Sequence, residues 1–199
     1  MDADNSAQRF NLEKAKILLV DGDGVNSAIA SQILLGFGAR HIQKVSDLEE
    51  ARTAIGGGSY DLIIVDPSMS ATGGYEFVSW LRRQAKAPNK FSPVLIVTGH
   101  TQSTRVTAAR DCGANFVIAK PLSPVVLFDR INWMAREKRP YVECRAYTGP
   151  ERRFKFQGPP AGSSGRRESD LSVDVGEASA PNMSQADIDA LMQPRKVSL

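Results

Sequence analysis

Cysteine is nearly missing from this chain. There are two in 199 residues, Cys112 and Cys144, too few for the disulfide frameworks that hold small secreted folds together. Histidine is as scarce: His41 and His100 lie in separate segments and make no cluster with the spacing of a zinc site. No apolar run approaches the roughly 18 residues that cross a bilayer. The opening stretch, MDADNSAQRFNLEKAK, is polar and lacks the apolar centre of a secretory leader, so a cytoplasmic protein without a membrane span is expected. A strong charge of one sign is missing too. The net charge is only +3, and its surplus lies in the first 140 residues, which gives no footing for a nucleic-acid partner.

What is present is an alternation. Short buried-strand runs, ILLV (17–20), LIIV (62–65), VLIV (94–97) and NFVIA (115–119), with a weaker HIQKV after the first helix, alternate with helical segments. Ser46-Asp47-Leu48-Glu49 reads as a capping box and Gly56-Gly57-Gly58 as a stop. Ser123-Pro124 reads as a cap and first-turn proline. Five strands and five helices in this order predict a parallel sheet covered on both faces, with right-handed crossovers. The expected division is a flexible 1–14, a folded domain over 15–139, a disordered linker over 140–182 and a short amphipathic helix over 183–194. The linker is rich in Gly, Pro, Ser and charge, with too few large apolar residues to offset its ordering entropy. Its GPERRFKF stretch reads as solvated.

The carboxyl ends of the runs carry the chemistry. They give Asp21 and Asp23, then Asp66, Thr98 and Lys120. In an open α/β sheet these ends converge on one crevice. Carboxylates there suit a hard divalent cation such as Mg2+, which needs few protein oxygens because it keeps its waters. Another carboxylate can act as nucleophile, and a hydroxyl and a lysine can contact phosphoryl oxygens.

With those residues placed, the chain resembles the receiver domain of two-component response regulators. The resemblance rests on ILLVD, on DLIIVDPSM and the GGYEF after it, on PVLIVTG and on GANFVIAKPL, and covers 16 to about 138. It implies a flavodoxin-like α/β fold with strand order 2-1-3-4-5 and no enzyme activity of its own. Asp66 would be the phosphoacceptor, Thr98 the switch hydroxyl and Lys120 the phosphoryl contact. Asp21, Asp23 and Asp66 would form the metal-binding cluster. A histidine kinase or histidine phosphotransfer protein would be the donor. The chain departs from the pattern at Gly22, where the family has a second acid, at Ser70 and Gly73, and at Val117, where many receivers carry an aromatic. Phe116 should face the other way by strand alternation. Those departures support an alternative, a pseudo-receiver that signals by binding alone.

Asp21-Gly22-Asp23-Gly24-Val25 also resembles the first motif of haloacid-dehalogenase-type phosphatases. No later acidic pair follows Lys120, and Asp66 would be left unexplained. Near the other end, MSQADIDALMQ has Ser184 as a cap with Asp187 three residues on, and Ile188, Leu191 and Met192 on one stripe. It resembles the receiver-binding peptide of the flagellar motor switch protein. The expected partner is a flagellar or chemotaxis protein, or the chain's own receiver face.

Overall fold

The computed structural model describes residues 11–69, 73–136, 140–144, 147–152 and 183–192. Its centre is a parallel sheet of β1 (Lys16–Val20), β2 (His41–Val45), β3 (Leu62–Val65), β4 (Val94–Thr98) and β5 (Phe116–Ala119), in the order β2-β1-β3-β4-β5. This is the predicted flavodoxin-like order. β1, β3 and β4 are apolar almost throughout because helices cover both faces, and Ile17, Leu18, Ile63 and Ile96 are fully buried. β2 is largely exposed and polar, as suits an outer strand that must not recruit another.

The helices are α1 (Gly24–Gly36), α2 (Leu48–Gly57), α3 (Gly73–Gln84), α4 (Ser103–Asp111), α5 (Pro124–Arg136) and α6 (Gln185–Met192). The cap of α2 lies one residue later than the sequence suggested. Asp47 is the N-cap and accepts from the Glu50 N–H, while the Glu50 carboxylate reaches back to the Ser46 N–H. Ser184 and Asp187 form the expected reciprocal cap of α6: the Ser184 hydroxyl takes the Asp187 N–H at 3.3 Å and donates to the Asp187 carboxylate at 2.6 Å.

Two boundaries differ from expectation. Residues 11–14 do not hang free: Leu12 is buried, and its N–H donates to the Phe37 carbonyl. Part of the expected linker is folded as well. Tyr141–Glu143 (β6) and Thr148–Pro150 (β7) form an antiparallel pair. Residues 153–182, with the second half of GPERRFKF, lie outside the described residues, as do Ser70 and 193–194.

The hairpin is held by a buried cation that composition does not reveal. Arg82, on α3, is 1% exposed. Its guanidinium donates to the carbonyls of Gly113, Lys90 and Ser92 and to the Asn115 side chain, and the Tyr141 ring stacks on it at 5.1 Å. Tyr141 also donates to Asn115, and Lys90 pairs with Glu143 at 2.5 Å. Gly113 has φ +97, and a Cβ there would lie 2.6 Å from the Thr148 carbonyl and 2.9 Å from Arg82. Only glycine allows both that backbone and that approach. A 40-residue window scanned for apolar content misses a short hairpin stabilised by one guanidinium fork.

Replacing Arg82 with leucine removes the fork and leaves its four acceptors without their donor. At ~1–3 kcal/mol for an orphaned buried group, partly offset by water, urea unfolding should show a loss of about 3 kcal/mol. A loss below ~1 kcal/mol would mean that the hairpin does not depend on this side chain.

Candidate functional site

The predicted strand-end residues do not all play the parts expected of them. Asp66 follows β3 and is 5% exposed; Asp21 follows β1 and is 7% exposed. Between them lies Lys120, after β5, its Nζ 2.5 Å from Asp66 Oδ2 and 3.4 Å from Asp21 Oδ2. Asp66 Oδ1 accepts from Ser68 twice, from the N–H at 2.8 Å and the hydroxyl at 2.5 Å. Burial by itself would raise the Asp66 carboxyl, but the Lys120 ammonium and the two Ser68 donors outweigh it and hold the group below the usual range. Asp21 goes the other way: its burial raises it, despite the Asp23 N–H and Lys120. Asp66 is therefore held as a carboxylate, and Asp21 is the easier of the two to protonate.

Asp23 lines the same cavity of about 450 Å3, with Asn26, Ser68 and His100. Its carboxylate, however, caps α1, accepting from the N–H groups of Val25 and Asn26 and from the Asn26 amide. The general acid of the phosphatase alternative is thus committed to a helix end. Among the described residues no three His, Cys, Asp or Glu side chains converge as a ready ligand set. Asp21 and Asp66 remain, two hard oxygen donors beside an open cavity, which fits a cation that retains most of its waters.

Thr98 ends β4 and is buried, but its hydroxyl accepts the His100 N–H at 3.1 Å. Gly99 and His100, rather than Thr98, line the acidic cavity at this point. Val117 is fully buried, and no aromatic occupies its place. Phe116 instead makes an edge-to-face contact with Trp133 of α5 at 4.6 Å.

Segment 183–192 packs on the far side of the same strand ends, against β5 and α4. Ile188 and Met192 are buried and Leu191 is half-buried. Sequence reasoning missed Ser68, which only its place two residues after Asp66 could have signalled. It also missed Asn26, His100 and Gln185, whose roles arise from loops meeting in space.

Comparison with known proteins places the fold in a family. The model of the response regulator receiver domain matches residues 17–132, more than half of the chain. The chain belongs to the response regulator receiver family. The receiver is similar to the chemotaxis protein CheY4 of Vibrio cholerae, with a TM-score of 0.54 and 29% identity, covering 59% of this chain and 96% of that one. It is also similar to a putative response regulator from Chloroflexus aurantiacus, with a TM-score of 0.56 and 28% identity over 61% and 98% of the two chains. The Transcriptional regulatory protein TcrA of Mycobacterium tuberculosis is 30% identical over 121 residues, 61% of this chain and 46% of TcrA. The chain spans about half the length of the curated relatives it matches. The family match stops short of segment 183–192. No helix among the described residues is long and apolar enough to cross a membrane.

Receiver domains typically bind Mg2+ at the phosphorylation site, and Gly22 lines the acidic cavity here without a side chain. A Cβ at Gly22 would meet the Ser46 carbonyl at 3.5 Å and the Met69 side chain at 3.6 Å, both ordinary contacts. Gly22→Asp should therefore fold and add a hard ligand to the cavity. Calorimetric titration should show Mg2+ binding tighter by on the order of tenfold, or ~1.4 kcal/mol. Equal affinity would show that Asp21 and Asp66 already suffice.

Proposed function

We propose that this receiver takes a phosphoryl group on Asp66 from a histidine kinase or histidine phosphotransfer protein and passes the signal on through protein contacts. The observation that carries the reading is the Asp66 carboxylate, kept ionised by Lys120 and Ser68 at the floor of an open cavity. An ionised carboxylate is the nucleophile the chemistry needs. In the transfer, an Asp66 oxygen bonds to phosphorus as the N–P bond of the donor phosphohistidine breaks. The leaving imidazole nitrogen takes up a proton, and an acyl phosphate remains. Lys120, already against Asp66, shifts its ammonium onto a phosphoryl oxygen. Thr98 exchanges its His100 partner for another. Asp21 and Asp66 would hold Mg2+, whose charge offsets that of the phosphoryl oxygens. The setting is cytoplasmic, and the output is binding rather than catalysis.

Gly22 and Val117 favour a second reading, in which the domain signals by binding without phosphorylation. The first position lacks an acid and the second lacks the ring that would follow the Thr98 hydroxyl. The readings part in one experiment. The full chain is incubated with Mg2+ and acetyl phosphate, and the intact protein is weighed. A gain of one phosphoryl group that disappears in Asp66→Asn is expected. A gain that survives in Asp66→Asn would move the acceptor elsewhere, and no gain with acetyl phosphate or phosphoramidate would favour the binding-only module.

A further inference from the structure

β5 is an outer strand of the sheet, and an outer strand presents bare backbone groups on one side. Just past its end, the Lys120 N–H turns inward, to the Thr98 carbonyl of β4. The Ala119 N–H and the Val117 carbonyl turn outward, and neither meets a strand. They meet the side-chain amide of Gln185: Ala119 N–H donates to Gln185 Oε1 at 2.9 Å, and Gln185 Nε2 donates to Val117 O at 3.1 Å. One primary amide thus imitates the next strand of the sheet, donor to acceptor and acceptor to donor.

The rest of the segment is fitted around that amide. Gln185 Nε2 also donates to Asp189 Oδ1 at 3.0 Å, and Asp189 pairs with Arg130 of α5. Ile188 is wholly buried and Met192 nearly so. Before the helix, Met183 and Thr101 are joined twice: the Met183 N–H donates to the Thr101 carbonyl, and the Thr101 hydroxyl donates to the Met183 carbonyl, both at 3.0 Å. A helix of 8 residues is marginal by itself in water, so its order comes from this seat. The seat specifies a pattern: an amide in the first helical turn, then counting from it an aliphatic three residues on, a carboxylate four on and an apolar residue seven on.

The same two strand ends carry the acidic site. Thr101 is three residues beyond Thr98, whose hydroxyl holds the His100 N–H. Ala119 is next to Lys120, whose ammonium bridges Asp66 and Asp21. If Thr98 and Lys120 turn to a phosphoryl group, the 98–101 loop loses the bond that shapes it, and the double clamp on Met183 goes with it.

We propose that segment 183–192 is an intramolecular occupant of the β5 edge, a helix seated by the Gln185 amide, and that phosphorylation of Asp66 loosens it through Thr98–Thr101. The second half rests on the reading of Asp66 given above; the first does not. The exposed face then accepts a partner helix of the same pattern. By linkage, unseating the segment shifts the phosphotransfer equilibrium toward the phosphorylated chain by the same factor that phosphorylation lowers seating.

The Ala119 amide reports the seat directly, because Gln185 is its acceptor. Residue-resolved hydrogen exchange is followed on the full chain and on Gln185→Ala and Ile188→Asp, with Leu95 in the sheet interior as reference. Ala119 should exchange about tenfold or more faster in both variants with Leu95 unchanged, and no difference at Ala119 would overturn the docking. A wild-type rate that rises on dilution would assign the segment to a second copy and overturn the intramolecular form. Acetyl phosphate and Mg2+ are then added to the wild type and mass is read in parallel. A phosphoryl gain accompanied by Ala119 exchange faster by roughly 5- to 150-fold, the usual span of such couplings, is expected. A phosphoryl gain with Ala119 unchanged would overturn the coupling alone. No mass gain would remove the Asp66 arm together with its premise, and the variant comparison would still decide the docking.

Discussion

Two carboxylates buried at neighbouring strand ends cannot both stay ionised without a nearby cation, and Lys120 is that cation. Its single ammonium reaches Asp66 closely and Asp21 more loosely. The asymmetry separates the two acids, since one is driven down and the other up. The sheet order follows from the same requirement. β1 and β3 are adjacent, and β4 places β5 within one side chain's reach of both. Lys120 therefore spans the crevice at the strand ends, where open parallel sheets bind their ligands.

The lysine also ties the acidic crevice to the outer edge of the sheet. Its own N–H belongs to the β4–β5 ladder, while the N–H of the preceding Ala119 points out to Gln185. Strand alternation makes this inevitable: consecutive backbone groups face opposite sides. Whatever moves the end of β5 or the loop after β4 is felt in both places. The apolar anchors of α6 give the segment its hold, and the amide gives it register.

At the other end of the sheet, Arg82 does comparable work with no carboxylate partner among the described residues. It gathers three carbonyls, an amide and an aromatic face. Dispersed over that many neutral acceptors, a guanidinium can be buried without a carboxylate. The β6–β7 hairpin closes over it, and Gly113 leaves the room needed. The end of the domain opposite the acidic site is in this way sealed by the chain just beyond α5.

Much of this was legible in the residues. Continuous apolar runs between helical segments determine a parallel sheet covered on both faces, because only burial on both sides makes four or five consecutive apolar residues favourable. The ends of those runs named Asp21, Asp66, Thr98 and Lys120, and the Ser184–Asp187 spacing named the cap of α6. Local chemistry sufficed there, since caps and strand ends are properties of a few neighbouring residues. The Asp23 cap of α1 is just as local, reaching only Val25 and Asn26. Tertiary structure alone decided that Arg82 folds a hairpin out of an apparent linker and that Gln185 completes a strand 66 residues away. Each depends on groups far apart in sequence meeting within about 3 Å, and hydrogen bonds at that range are directional and set by the assembled backbone. No composition or periodicity encodes which donor will find which acceptor.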